Sequence, residues 1–567
     1  MKGFKKFLIY LGIFLAIIVA VFVICIAIMY FSPRTSILGF EYVNYTNTEE
    51  YSYSTATGSS YANIKAIEVK TDRADVYIYP NNNSNKIEVK HNHGLSGFVK
   101  SINSNLTYKA EIQTKSFEES VTNLKTLVIN VNEPEGWITE NNPYIIIYVP
   151  TDLNTSTNTV EYIDTYKVGS EKGEVYYFSD REYKIDGEKV KKTIKCDNLY
   201  LKSGGFSDIY INNSQSISNY YLTTDKGDIL FDNVSTLTAN NLKFTTNAGG
   251  FNLVNVKGDA TLNLTGKFIV KSYDGRIGPY IRINKLNANM EVEAYNGKYI
   301  IDTIGSPSSH KQVIMTMNKC YVNFGTVYAY VSILSEGGGV ANSININKLE
   351  HTAHTNVIES GTGSINIDSL KGNASLDATS GNINVKNAST SSSIYAYTTS
   401  GSINIKYQFS EVNNYKTKLA VLTHRGAVNL ENVSCLLELE VLSNSSAKAN
   451  IVFSFIACDN DGTGRENIIN AKNRNVNILL YGTTDSFQSR MLLTGEVEFV
   501  RTVHSQIGTN DIDNPLNFTE KYEQYSKAYR VGYTLNNDTS VTQNYDLWGK
   551  ILINSTGKTT VEKQLSK

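Results

Sequence analysis

Gly363-Ser364-Ile365-Asn366-Ile367, Gly381-Asn382-Ile383-Asn384-Val385 and Gly401-Ser402-Ile403-Asn404-Ile405 are three versions of one phrase: a glycine, one polar or small residue, then apolar-Asn-apolar. Strand side chains alternate between faces, so each triplet sends two branched apolar side chains to one side and an amide to the other. Working outward, the phrase returns as Val322-Asn323-Phe324, Ile344-Asn345-Ile346 and Gly426-Ala427-Val428-Asn429-Leu430. The central residues 323, 345, 366, 384, 404 and 429 are 22, 21, 18, 20 and 25 apart. A period near 20 residues is the mark of a solenoid.

Before each glycine stands a small polar turn, such as Ala378-Thr379-Ser380 or Thr398-Thr399-Ser400, and before that a second alternating strand, such as Ala374-Ser375-Leu376-Asp377-Ala378. Glycine at that corner supplies either positive φ or close backbone approach. Two short strands per unit, each stacked on its counterpart, give a single-stranded β-helix. Repeated antiparallel hairpins in a long sandwich would alternate in the same way, and the constant register of the Gly-Ser-Ile-Asn-Ile units favours stacking. Earlier units include Gly227-Asp228-Ile229-Leu230-Phe231, Gly250-Phe251-Asn252-Leu253 and Gly297-Lys298-Tyr299-Ile300-Ile301; later ones are centred on Val452 and Asn477.

Upstream, Phe7 to Phe31 runs for 25 residues without a charge, long enough at a rise of about 1.5 Å per residue to cross a bilayer. Lys2, Lys5 and Lys6 precede it, which puts the N-terminus in the cytoplasm and the remainder outside. A cleaved signal is the rival reading, but its apolar region is shorter and ends in small residues, whereas Ile26-Ala27-Ile28-Met29-Tyr30 offers no such site.

The chain therefore divides into a cytoplasmic N-terminus (1–6), a transmembrane helix (7–31), a stalk (32–62), a β-rich N-terminal part of the ectodomain (63–195), β-solenoid repeats of about 20 residues per rung (196–482) and a C-terminal β-rich cap (483–567). The fold class is all-β behind one N-terminal helix. Lys+Arg 53 against Asp+Glu 54 gives a net charge of -1, which argues against nucleic acid as a partner.

The alternation Ile67-Glu68-Val69, Ala74-Asp75-Val76-Tyr77-Ile78, the strand end Tyr148-Val149-Pro150 and the Thr-Ser-Gly-x-Ile-Asn-Ile rungs resemble the adhesin family with exported β-strand repeats, a β-solenoid domain of unknown function. The resemblance spans residues 63–430 and implies a membrane-anchored or exported β-repeat domain, without a catalytic motif.

Chemistry is sparse. The amides of Asn323, Asn345, Asn366, Asn384, Asn404 and Asn429 cannot perform general acid-base work near neutral pH, though each offers a donor and an acceptor to a sugar hydroxyl. His91-Asn92-His93 reads as a solvated strand end rather than a metal site, and Asp459 to Glu466 as an exposed turn rather than a calcium loop. His351, His354 and His424 sit near rung turns, and Gly337-Gly338-Gly339 reads as another turn. The cysteines Cys25, Cys196, Cys320, Cys435 and Cys458 form no C-x-x-C pair; they read as buried thiols, with Cys435 and Cys458 as the one pair that adjacent rungs could bridge.

The expectation is a single-pass, surface-exposed protein that binds cell-surface or envelope components in the manner of an adhesin. It uses no catalytic residues, metal or cofactor, and its partner is a glycan or a surface protein. The alternatives are an envelope structural or sensory protein that binds a partner protein, and a carbohydrate-active enzyme on the same scaffold.

Overall fold

The structure is a computed structural model. It describes Lys2 to Leu565 apart from residues 32–36, 38–39, 101–106, 118–121, 155–159, 213–216, 255–259, 336–342, 458–466, 483–490, 500–527, 532–550 and shorter turns of one to three residues. One helix, Lys2–Phe31, precedes strands throughout, and its segment Ile9–Phe31 is long and apolar enough to cross a membrane. The described residues fall into two compact units, Met1–Ala260 with Leu264–Gly266, and Thr261–Asn263 with Lys267–Lys567.

In the second unit the Ile-Asn-Ile phrases become strands of one parallel sheet. Ser343–Glu350, Ile365–Lys371, Ile383–Ala388, Ile403–Tyr407, Val428–Val433, Ala449–Phe453 and Val476–Gly482 pair in that order. The intervening strands build the other sheet: Tyr330–Ser335, Asn356–Glu359, Ala374–Ala378, Ile394–Thr398, Asn414–Thr423, Cys435–Val441 and Asn467–Lys472, again parallel. The parallel register decides for stacked rungs and against hairpins. Each Ile-Asn-Ile triplet is buried, half-buried, buried, so the apolar pairs Ile365/Ile367, Ile383/Val385 and Ile403/Ile405 stack between the sheets.

Two findings adjust the repeat register. The rung after Asn429 is centred on Asn450, not Val452, because Asn429 pairs with Asn450 and Ala449 takes the inward position of an isoleucine. The next rung comes from far along the chain, since Ile551–Ser555 pairs with Asn467–Lys472 and Thr559–Leu565 with Val476–Gly482, and Val497–Phe499 stacks in parallel on Thr559–Leu565 in turn. The segment read as a cap thus extends both sheets in parallel.

In the first unit parallel stacking begins well before residue 196. Ala66–Thr71, Thr165–Ser170, Asn198–Ser203, Asn219–Thr224 and Asn241–Thr246 form one sheet. Asp75–Asn81, Val175–Phe178, Ile209–Asn212 and Ile229–Phe231 belong to the other. Rung order departs from chain order: Leu124–Asn132 and Tyr144–Pro150 stack on the outer side of Ala66–Thr71 and Asp75–Asn81. That first rung is covered by antiparallel strands, Thr107–Lys115 on Leu124–Asn132, and Lys86–Asn92 followed by Thr48–Ser54 on Tyr144–Pro150. An antiparallel cover satisfies the open edge of a solenoid without extending its core. The region read as a stalk therefore supplies one of the covering strands. The mixed-charge stretch near residues 170–190 folds out as the antiparallel hairpin Asp180–Ile185 and Glu188–Thr193.

The corner glycines work by close approach, not by positive φ. Gly381, Gly401 and Gly426 are not among the positive-φ residues, and a Cβ on each would overlap the carbonyl oxygen of the corner glycine one rung earlier, Gly363, Gly381 and Gly401. A buried hydroxyl three residues before ties each turn: Gly173 N–H donates to Ser170 Oγ at 2.8 Å, Gly249 to Thr246 Oγ1 at 2.6 Å, Gly401 to Thr398 Oγ1 at 3.1 Å and Gly426 to Thr423 Oγ1 at 3.0 Å. In the next two rungs Ala447 and Arg474 hold the register position of the corner glycine. The buried Arg474 donates to the Gly426 carbonyl, and to that of His424 at 3.2 Å.

Candidate binding surface

The outward asparagines of the second unit do not stand as separate ligands. Asn366 Nδ2 donates to Asn345 Oδ1 at 2.9 Å, Asn384 to Asn366 at 2.7 Å, Asn404 to Asn384 at 2.7 Å, Asn429 to Asn404 at 2.7 Å, Asn450 to Asn429 at 2.7 Å and Asn477 to Asn450 at 2.8 Å. Asn323 precedes them in the same column, in register with Asn345. Each interior amide spends one N–H and one lone pair along the column, and each side chain is half-buried, so its remaining N–H and lone pair face outward. The first unit carries a shorter ladder, Asn198, Asn219 and Asn241, at 2.9 and 3.0 Å. Parallel in-register stacking produces such chains wherever one amide repeats.

Sequence reading missed a second column. Tyr77, Tyr176 and Tyr210 align on successive rungs of the first unit, their rings stacked at 4.4 and 4.6 Å, and Tyr79 stacks on Phe178 at 4.6 Å. The signal was present as Val76-Tyr77-Ile78, Val175-Tyr176-Tyr177 and Ile209-Tyr210-Ile211, the same apolar-x-apolar triplet with tyrosine in place of asparagine. Arg181, on the outlying hairpin, lies over Tyr79 at 4.7 Å, Tyr148 at 5.3 Å and Tyr183 at 5.2 Å. Glu174 accepts from the Tyr176 hydroxyl, and Asp208 from that of Tyr210 at 3.2 Å. Burial and these carboxylates hold the Tyr176 hydroxyl well above its ordinary range and push that of Tyr210 up to about 12. Because the rings cover one another's faces, the column stabilises the stack and presents edges to solvent.

Glu359 and Asp377 align on adjacent rungs of the second unit, and burial, then the neighbouring Glu359 charge, raises the Asp377 carboxyl above its ordinary value. The tyrosines Tyr280 and Tyr321 flank Lys298, whose ammonium lies 5.3 and 5.5 Å from the ring centres. His351 is buried, with its ring 5.7 Å from that of the exposed His354. His91 is buried on the strand Lys86–Asn92, whereas His93, Gly337-Gly338-Gly339 and the loop Asp459 to Glu466 lie outside the described residues. Among the described residues no three of His, Cys, Asp and Glu gather in a metal-binding arrangement. Cys196, Cys320 and Cys435 are buried thiols outside any disulfide, each pushed up to about 12 by burial; Cys458 lies outside the described residues.

Residues 281–434, about a quarter of the chain and all within the second unit, match the family model of the Toastrack DUF4097 domain, a β-strand repeat domain of unknown function. The matched segment contains the asparagine column from Asn323 to Asn429. Comparison with curated proteins and with solved structures finds no match.

Proposed function

We propose that the chain is a membrane-anchored surface protein that binds extended envelope or cell-surface polymers in an adhesin-like way, without catalysis, its strand-built units lying on the outer side of the membrane. The carrying observation is the amide column from Asn345 to Asn477. Neighbouring strands in a sheet repeat at about 4.8 Å, so the column offers one outward N–H and one outward lone pair at that interval. A polysaccharide, with hydroxyls that both donate and accept at regular spacing, is the ligand class such an array suits. The N-terminal helix supplies the anchor, and Lys2, Lys5 and Lys6 on its short side support the outward orientation.

The full chain, in detergent or nanodiscs, would be titrated with purified envelope polysaccharide and with intact cells, beside an Asn384→Thr/Asn404→Thr variant that keeps strand propensity and removes two amides. Binding that weakens in the variant while its β signal persists supports the reading. Equal binding by both proteins places the ligand elsewhere; no binding by either moves the weight to a partner protein in the envelope.

A further inference from the structure

Three separate excursions from the first unit meet in a small sheet of their own. Phe40–Tyr45 precedes the covering strand Thr48–Ser54, Leu95–Lys100 follows Lys86–Asn92, and Gly136–Glu140 lies between Leu124–Asn132 and Tyr144–Pro150. They pair antiparallel, with Leu95–Lys100 in the middle. All three leave the rung and covering strands at the outer end of the stack, and among the described residues no strand pairing joins this sheet to the stacked strands.

This sheet touches the end of the apolar helix. The Tyr30 ring lies 5.0 Å from that of Tyr42, and Tyr42 lies 5.3 Å from Phe98. Tyr42 shares a hydrogen bond with Ser96 Oγ at 2.9 Å, which fixes the ring's position on the sheet. Tyr30 is the penultimate residue of the 23-residue segment Ile9–Phe31, whose helical length of about 35 Å slightly exceeds the hydrocarbon core. A residue there sits where the acyl chains give way to headgroups, the depth at which amphipathic rings are favoured. Tyr42 and Phe98, within ring contact of it in sequence, must lie at or just above that depth. Around them Phe31, Tyr30 and Phe40 are exposed, and Tyr42 and Phe98 are only half-buried. A sheet serving only to close the core would hide such rings.

We propose that the sheet Phe40–Tyr45, Leu95–Lys100 and Gly136–Glu140 is a foot that rests in the headgroup layer of the bilayer crossed by the helix, with Tyr42 and Phe98 as interfacial anchors. The proposal rests on the helix remaining as a membrane anchor. Its occupant is the anchoring bilayer, because Tyr30 joins the helix in lipid directly to the sheet. Such a foot would hold the outer end of the first unit against the membrane.

The test uses the full chain in phosphatidylcholine vesicles, with Trp137→Phe and Trp548→Phe removing the native tryptophans. Single reporters are then introduced by Phe14→Trp in the helix, Tyr42→Trp in the foot and Tyr395→Trp on the second unit. Lipids brominated high on the acyl chain should quench the reporter at 42 and shift its emission to the blue. Deeply brominated lipids should quench the one at 14, and only aqueous iodide the one at 395. If 42 behaves like 395 while 14 is quenched, the foot is overturned and the anchor stands. If 14 is also untouched by lipid, the anchor reading fails and the foot with it. A Phe98→Trp reporter repeats the test should Tyr42→Trp lose the β signal.

Discussion

Thr398 Oγ1 accepts the Gly401 N–H at 3.1 Å and donates to the Gly381 carbonyl at 3.2 Å, so one buried hydroxyl ties its own turn to the turn of the preceding rung. The same carbonyl is the atom that a Cβ on Gly401 would overlap. Hydroxyl and glycine thus solve one problem together: backbones at the corner must approach closely, and their polar groups must still be paired.

Thr398→Val keeps the shape and strands both backbone partners, which should cost about 1–3 kcal/mol. Gly401→Ala forces the two corners apart and should cost at least as much, at the upper end of the roughly 1–3 kcal/mol typical of overpacking. Hydrogen exchange of the residues around 398–404 reads both effects locally. Thr398→Ser, which keeps the hydroxyl, should lie close to the parent protein. If Thr398→Val exchanges as slowly as the parent, the hydroxyl bridge has no structural weight.

The asparagine column has a direction, and substitutions should report it. Asn384 donates to Asn366 and accepts from Asn404, so Asn384→Asp sets a carboxylate against the Asn366 oxygen and should cost about 1–2 kcal/mol at neutral pH. Protonation below the ordinary carboxyl range of about 4 restores a donor, so the deficit relative to the parent should shrink in acid. Asn345 accepts from Asn366, and its own donation goes outside the column, to Ser343 Oγ at 3.4 Å, so Asn345→Asp should be nearly silent. Urea midpoints of the two variants at pH 3 and pH 7 test the polarity; equal deficits would contradict it.

The repeat was legible because Ile365-Asn366-Ile367 and its copies state face, register and period in the same residues. It failed at Ala449-Asn450-Ile451, where alanine fills an inward site too small to be seen as apolar beside Ile451-Val452-Phe453. The aromatic column escaped notice because tyrosine counts as apolar in the alternation that it decorates, so Tyr77 and Tyr176 read as strand residues rather than as a surface feature. Rung order could not be read at all. A parallel strand carries no mark of which neighbour it will have, and neither the return of Leu124–Asn132 to the outside of Ala66–Thr71 nor the arrival of Ile551–Ser555 beside Asn467–Lys472 leaves a trace in local pattern. Glycine's role at the corner was left between two mechanisms, and only the position of the previous carbonyl decides it.

Arg474, which stands in the corner glycine's register two rungs after Gly426, donates into the Gly426 and His424 carbonyls. Arg474→Met keeps the bulk of the stem and takes a donor from the buried Gly426 carbonyl, while Ser443 Oγ still serves that of His424, so it should loosen the rungs beside Gly426 by about 1–3 kcal/mol while leaving rungs around Asn366 unchanged. Hydrogen exchange at residues 428–433 and 449–453, set beside 365–371, distinguishes local from global loss. Uniform acceleration along the stack would argue against a corner plug.

Two buried titratable groups, one in each unit, should give opposite pH dependence. Glu133 is buried beneath the corner Thr71–Ala74, accepts from Thr71 Oγ1 at 2.9 Å and Ala74 N–H at 3.1 Å, and is pushed up to about 7 by burial, with Asp72 adding to the shift. A folded carboxyl above its unfolded value of 4.5 gives stability that is complete below that value and lost as pH rises through about 7. His351 is held below its ordinary 6.5 by burial, with the charges of His354 and His310 acting the same way and its hydrogen bond to the Tyr328 backbone opposing. A depressed histidine gives stability that is complete above 6.5 and lost as pH falls through the lower folded value. Exchange rates around residues 71–74 should therefore rise from pH 5 to pH 8, and those around 351–356 should rise from pH 7 to pH 4, after correction for intrinsic exchange. Glu133→Gln should flatten the first profile alone and His351→Gln the second alone. A profile that survives its own substitution would assign that pH dependence to other groups.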